Sequence, residues 1–210
     1  MQVYLSCTVA RSKVAGENGD KSITAIARLH PDGTLTDWIE PQIGKNNWSG
    51  MEKNWVVFEH DGKLHVSYKC YPQHEVYELN SQGRITKTYK TKSPTCDFGE
   101  PRGGSQPLPY GDHWLRFFHT NQLNKKSDVW WQYHVGAMVM ESKPPFRILK
   151  VSKHPILSGD ELYTPHCRHW KPSVRIVYGA IKTDTGWQLA LGANDCACEI
   201  ADVTENQLNL

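Results

Sequence analysis

The residues in this sequence best suited to chemistry stand at the edges of apolar runs. Glu52-Lys53-Asn54 lies directly before Trp55 and the apolar stretch "VVF". A carboxylate, an ammonium and an amide side by side can serve proton transfer, anion binding and hydroxyl recognition. The same triplet is also the ordinary end of a solvated loop. In Arg102-Gly103-Gly104 two glycines permit close backbone approach. The adjacent guanidinium can grip phosphate or carboxylate with two hydrogen bonds. A plain glycine turn beside a surface arginine is the alternative. His119 closes the run "WLRFFH", where a lone histidine is more often structural, though an imidazole changes charge near neutral pH. "HCRH" at His166–His169 has no second ligand pair at zinc spacing, so no metal site is expected. Trp48, Trp130, Trp131 and Trp170 sit beside polar residues and are expected in loops. Their faces suit stacking on sugar rings or packing between sheets equally.

These groups need rigid elements to hold them, and the elements are strands. Helical periodicity is scarce, whereas short runs rich in Val, Ile, Tyr, Phe and Trp recur between turn signals. Asp32-Gly33, Asp61-Gly62, Gly83, Gly111-Asp112 and Asp184-Thr185-Gly186 each divide two such runs. Hairpins place residues of positive φ at such points. A weak repeat emerges of strand, turn, strand, loop, strand, turn, strand. One copy is "NWVVFEHDGKLHVSYKC" with "HEVYELNSQGRITKTY", and the next starts at "SQPLPYGDHWLRFFHT". Four-stranded repeats of this size read as blades of an all-β propeller. A β-sandwich is the alternative. The copy that begins "MQVYLSCTV" lacks its leading strand, which leads to the expectation of a single propeller domain over 1–210, truncated at its N-terminus.

Bulk properties remove other classes. A chain of 210 residues can bury one sizeable core, and a net charge of +2 does not argue for nucleic acid or an anionic membrane. No apolar run approaches the ~18–20 residues of a membrane span. "MQVYLSCTVARS" has neither the basic nor the apolar region of a signal peptide. The six cysteines include no CxxC pair. They are expected to be reduced, buried thiols of a cytoplasmic protein, with a disulfide as the alternative. Cys196 and Cys198 are expected to pack.

Four segments carry a family resemblance: "MEKNWVVFEHDGKLHVSY", "RGGSQPLPYGDHWLRFFHT", "YHVGAMVMESKPPFRILKVSKHPIL" and "YGAIKTDTGWQLALGANDCACEIA". In order and spacing they resemble the five-bladed propeller β-mannoside phosphorylases and hydrolases of glycoside hydrolase family 130 and related transferases. The resemblance covers essentially the whole chain. On it, the chain holds about three and a half of five blades. It implies an inverting reaction in which phosphate or water attacks a β-mannosidic bond. It also implies a polar pocket at one end of the propeller axis, an oligosaccharide or β-mannoside as ligand, and inorganic phosphate as a co-substrate in place of any cofactor. A homo-oligomer is compatible with it.

Residue by residue, the resemblance implies that Lys53, Asn54, Arg102, Gly103, Gly104 and His119 contact the anion or sugar hydroxyls. Glu52 would be a carboxylate of the site. Tyr133 and Asp195 match positions near the pocket, and Asp195 equally suits a turn. The family's proton donor, an Asp in a Glu-Asp-Pro-Arg motif, has no counterpart here. "GEPRGG" at Gly99–Gly104 is similar but lacks the Asp. The motif is expected just before "MQVYLSC". A non-catalytic glycan-binding propeller is therefore the second expectation.

Overall fold

The computed structural model describes residues 3–11, 21–43, 53–123, 131–159 and 173–210. These residues form antiparallel sheets, with a short 3-10 turn, Glu205–Leu208, after the last strand. The first sheet has the order β1 (Val3–Arg11), β2 (Lys21–Leu29), β3 (Leu35–Ile39). The second runs β4 (Val56–His60), β5 (Lys63–Lys69), β6 (Gln73–Leu79), β7 (Ile85–Lys92).

In the third sheet β8 (Glu100–Gly104) and β9 (Leu108–Tyr110) both pair with β10 (His113–Leu123). On the other side of β10 lies β11 (Trp131–Glu141), which pairs with β12 (Ile148–Val151) and β13 (Leu157–Ser158). Breaks in the outer strands thus turn a four-stranded meander into six short elements. The last sheet is β14 (Arg175–Thr183), β15 (Gly186–Ala193), β16 (Ala197–Thr204). This is the all-β, blade-by-blade architecture of a propeller.

The turn signals act as the sequence suggests. Asp61 and Gly62, between β4 and β5, have φ of 50° and 69°. Positive φ at both positions is the two-residue turn whose twist matches its strands. β7 is exposed over its first four residues and alternates exposed with half-buried positions beyond them, and Lys87, Lys90 and Lys92 decorate it. Such charge blunts an edge strand against unwanted pairing.

The chain divides into two compact units, residues 1–68 with 75–90 and residues 69–74 with 91–210. In the first, Ile26, Trp55, Val57, Val66 and Leu79 form the core. In the second, β10 and β11 are buried on both faces. Leu115, Phe117, Val135, Ala137 and Val139 pack on Val177, Trp187, Leu189 and Leu191 of the last sheet. Phe118 and Met138, on the opposite face, pack with Cys70 and Phe98. Fully burying each large apolar side chain contributes about 1.5–3 kcal/mol. The β10–β11 hairpin, buried on both sides, is the rigid centre of this unit.

Several expectations need correction. His119 does not end its strand: β10 continues to Leu123. The strand is extended by its long pairing with β11, which reaches Leu123↔Trp131. Trp131 accordingly heads β11 instead of lying in a loop. Cys196 is disulfide-bonded and Cys198 is an exposed thiol, so neither packs as a buried residue. Cys196 sits in the turn before β16, and Cys198 lies on an outer strand, where alternation does not imply cover. Cysteine usage therefore no longer argues for a reducing compartment. No helix among the described residues is long and apolar enough to cross a membrane.

Candidate functional site

The second unit assembles its polar groups where β8, β10 and β11 end together. β8 is pressed hard against β10. A Cβ on Gly104 would lie 2.1 Å from the Phe117 carbonyl oxygen, and one on Gly99 would lie 2.8 Å from that of Asn121. Only glycine permits that approach. Buried Ser105 locks it further, its hydroxyl accepting the Phe117 N–H at 3.0 Å.

Between these contacts the register slips. Gly104 faces Phe118 and Pro101 faces Thr120, so Arg102 and Gly103 together stand opposite the single residue His119. This is a β-bulge, a device that re-aims side chains and recurs beside active sites. It keeps Pro101 and Gly104 on the side of Thr120 and Phe118. Arg102 and Gly103 are turned to the side of His119.

On that side the β10–β11 pairing adds more. His119 is only 2% exposed, and its imidazole stacks on the Tyr133 ring at 6.1 Å between centroids and 13° between planes. Half-buried Tyr133 faces Asn121 across the strands, and its N–H donates to the Ser173 carbonyl at 3.0 Å. Asn121 in turn faces Glu100. Arg102, His119, Asn121, Tyr133 and Glu100 thus share one face: a guanidinium, an imidazole, an amide, a phenol and a carboxylate. Such a set can hold an anion through charge-assisted bonds and order sugar hydroxyls around it.

A second polar layer lies behind. His134 Nδ1 and Ser158 Oγ are 2.9 Å apart, and the Ser158 carbonyl accepts from Arg175 Nη1 at 3.0 Å. Arg175 also holds Glu199 through two bonds of 3.2 and 2.9 Å. That carboxylate is therefore already engaged. Thr120 donates to the Phe98 carbonyl at 2.7 Å. His74, near Arg116 in the same unit, is pushed down to about 3 by burial and then by the Arg116 charge, so its ring stays neutral at ordinary pH.

The structure therefore sets Arg102, Gly103, His119 and Tyr133 on one face, whereas Gly104 is paired with Phe118 on the other and serves the close approach of β8 to β10. Asp195 lies in the β15–β16 turn, where the Asn194 N–H donates to the Val174 carbonyl at 2.8 Å, beside the Ser173 that accepts from Tyr133. There Asn194 and Asp195 have φ of 53° and 55°, and the Asp195 side chain is exposed. The turn reading holds for Asp195 in this respect. Lys53 and Asn54 belong to the first unit. Lys53 is exposed, and Asn54 adopts a left-handed φ of 65° just before buried Trp55. Glu52, "HCRH", Trp48, Trp130 and Trp170 lie outside the described residues.

Sequence reasoning passed over Asn121 and Glu100. Glu100 was visible in "GEPRGG", but only the strand register puts it on the side of His119.

No family model and no curated protein sequence matches the chain. Solved structures do. The chain is similar to β-1,2-mannobiose phosphorylase from Listeria innocua, in complex with β-1,2-mannobiose, at 17% identity and a TM-score of 0.60; 90% of this chain and 52% of that one are covered. It is similar to a structure from work describing family 130 mannoside phosphorylases and hydrolases that target β-1,2-mannosidic linkages in Candida mannan, at 12% identity and a TM-score of 0.59; 97% and 62% are covered. A glycosyl hydrolase from Bacteroides ovatus gives 11% identity, a TM-score of 0.58 and coverage of 97% and 62%. The fold is that of these propeller glycosidases and phosphorylases. The chain spans between half and two thirds of their length.

Proposed function

We propose that this chain carries the saccharide and anion site of a β-mannoside phosphorylase or hydrolase. The observation that carries the reading is the bulge in β8, which sets Arg102-Gly103 against His119 while Tyr133 stacks on the imidazole. The likeness of fold to a mannobiose phosphorylase supports it.

In this reading a phosphate or water oxygen attacks the anomeric carbon and the glycosidic C–O bond breaks. The departing oxygen takes up a proton from an acid. Arg102 and His119 hold the incoming anion and offset its charge as it approaches an oxocarbenium-like transition state. Asn121 and Tyr133 fix sugar hydroxyls. Orientation of this kind lowers the barrier by making attack effectively intramolecular.

Incubation with β-1,2-mannobiose tests this, with and without inorganic phosphate. Mannose 1-phosphate marks phosphorolysis and mannose alone marks hydrolysis. Failure to bind either mannobiose or phosphate would overturn the reading. Binding without turnover is the second reading. It is favoured by one observation: "GEPRGG" at Gly99–Gly104 lacks the Asp of the Glu-Asp-Pro-Arg motif. Saturable mannobiose binding with no product would select it.

A further inference from the structure

The face that carries His119 does not stop at Tyr133. Along β10 its residues are Phe117, His119, Asn121 and Leu123; along β11 they are Ala137, Val135, Tyr133 and Trp131, directly paired in that order. Burial falls steadily along this line. Phe117 and Val135 are fully buried, His119 is nearly so, and Asn121 and Tyr133 are half-buried. Leu123 and Trp131 are 43% and 48% exposed. β8 ends its pairing at Glu100↔Asn121, so the last two residue pairs of the hairpin project beyond it.

Exposed apolar side chains occur elsewhere in this unit, as at Tyr178 and Ile200, 65% and 63% exposed; what sets Trp131 apart is its place at the end of this line. Elsewhere in the same unit Trp187 is 1% exposed and Trp114 stacks on Phe146 at 5.8 Å. Trp131 differs from both in being continuous with a polar, half-buried centre. Four strand positions separate Leu123 from His119, about 14 Å along the strand at ~3.4 Å per residue. That is longer than one sugar ring.

We propose that Trp131, with Leu123 beside it, is a distal saccharide-stacking subsite, and that the ligand of this site is an oligosaccharide longer than a disaccharide. The proposal rests on the reading of the preceding subsection and deepens it. Axial C–H groups on one face of a mannose ring carry partial positive charge and lie against the negative face of the indole. The ring nearest His119 and Arg102 is held by polar bonds. The ring over Trp131 is held by apolar contact, and the sugar chain between them runs along the paired positions from His119 to Leu123.

Affinity should then depend on ligand length, and that dependence should reside in Trp131. Calorimetric titration with mannose, β-1,2-mannobiose and β-1,2-mannotriose measures it. In the wild type the trisaccharide is expected to bind more tightly than the monosaccharide. In Trp131→Ala the gain on lengthening shrinks by about tenfold. Trp131→Tyr keeps part of it, because a smaller aromatic face remains. A gain that persists in Trp131→Ala, or a wild type with equal affinity for all three sugars, overturns the subsite and leaves the mannoside reading standing. A wild type that binds none of the three removes both. Circular dichroism of each variant confirms that the sheets are intact.

Discussion

The two faces of the β10–β11 hairpin treat polar side chains in opposite ways. On one face Thr120 and His134 sit among Phe98, Phe118 and Met138, and each finds a partner within reach: the Phe98 carbonyl for Thr120, the Ser158 hydroxyl for His134. On the other face His119 stacks on Tyr133, and polar and aromatic groups continue outward to exposed Trp131. Both histidines are buried, neighbouring strands carry both, and their exposures are similar. What separates them is the company they keep. A buried polar group closed off by local bonds specifies the fold. A line of polar groups opening toward solvent offers bonds to a ligand.

The sharpest break in this comparison is Gly104→Val. Its Cβ would meet the Phe117 backbone oxygen, so β8 must leave β10, and the bulge that turns Arg102 toward His119 is lost. Destabilisation of about 3 kcal/mol is expected, with loss of ligand binding. Thermal and urea unfolding measure the first, and calorimetry the second.

His119→Ala should strike function more than fold. Under the proposed function it removes a donor to the anion, and turnover of β-1,2-mannobiose should fall about 100-fold or more. His134→Ala should do the reverse. It leaves the Ser158 hydroxyl and a buried space unfilled, costing about 1–3 kcal/mol of stability while binding persists. If the two variants behaved alike, the distinction between the faces would collapse.

Acid probes the closed side through His74. Its folded value, about 3, lies below the ordinary histidine value of 6.5. The folded state therefore favours the neutral ring. The stability this gives is complete above about 6.5 and is lost as pH falls from there toward 3, by up to ~1.4 kcal/mol per pH unit. Urea midpoints between pH 7 and 4 should fall in the wild type and fall less in His74→Asn. The smallest expected effect is Thr120→Val, which forfeits one buried hydrogen bond to the Phe98 carbonyl, about 1 kcal/mol, without touching ligand affinity.

Much of this was legible in the chain. Turn residues such as Asp61-Gly62 mark the hairpins, and continuous apolar runs such as "HVGAMVM" mark strands buried on both faces. Arg102, Gly103, His119 and Tyr133 were each visible as candidates. Asp195 was less clear, because an aspartate suits a tight turn and a pocket for the same reason: a short polar side chain that tolerates positive φ. Cys196 misled because spacing alone does not tell a packed thiol from a bonded one. Glu100 and Asn121 escaped because nothing local distinguishes them from ordinary surface residues.

The amino-acid order by itself determined the strands, the turns between them and the alternation of side chains within each strand. Period-two geometry is a property of a single extended segment, so it can be read residue by residue. Only the tertiary structure decided which faces met. Two residues of β8 oppose one of β10 because glycines at 99 and 104 let backbone touch backbone, and that close approach depends on both strands at once. A shift of one residue at that point carries Arg102 from one side of the sheet to the other, and with it the meeting of Arg102, His119 and Tyr133.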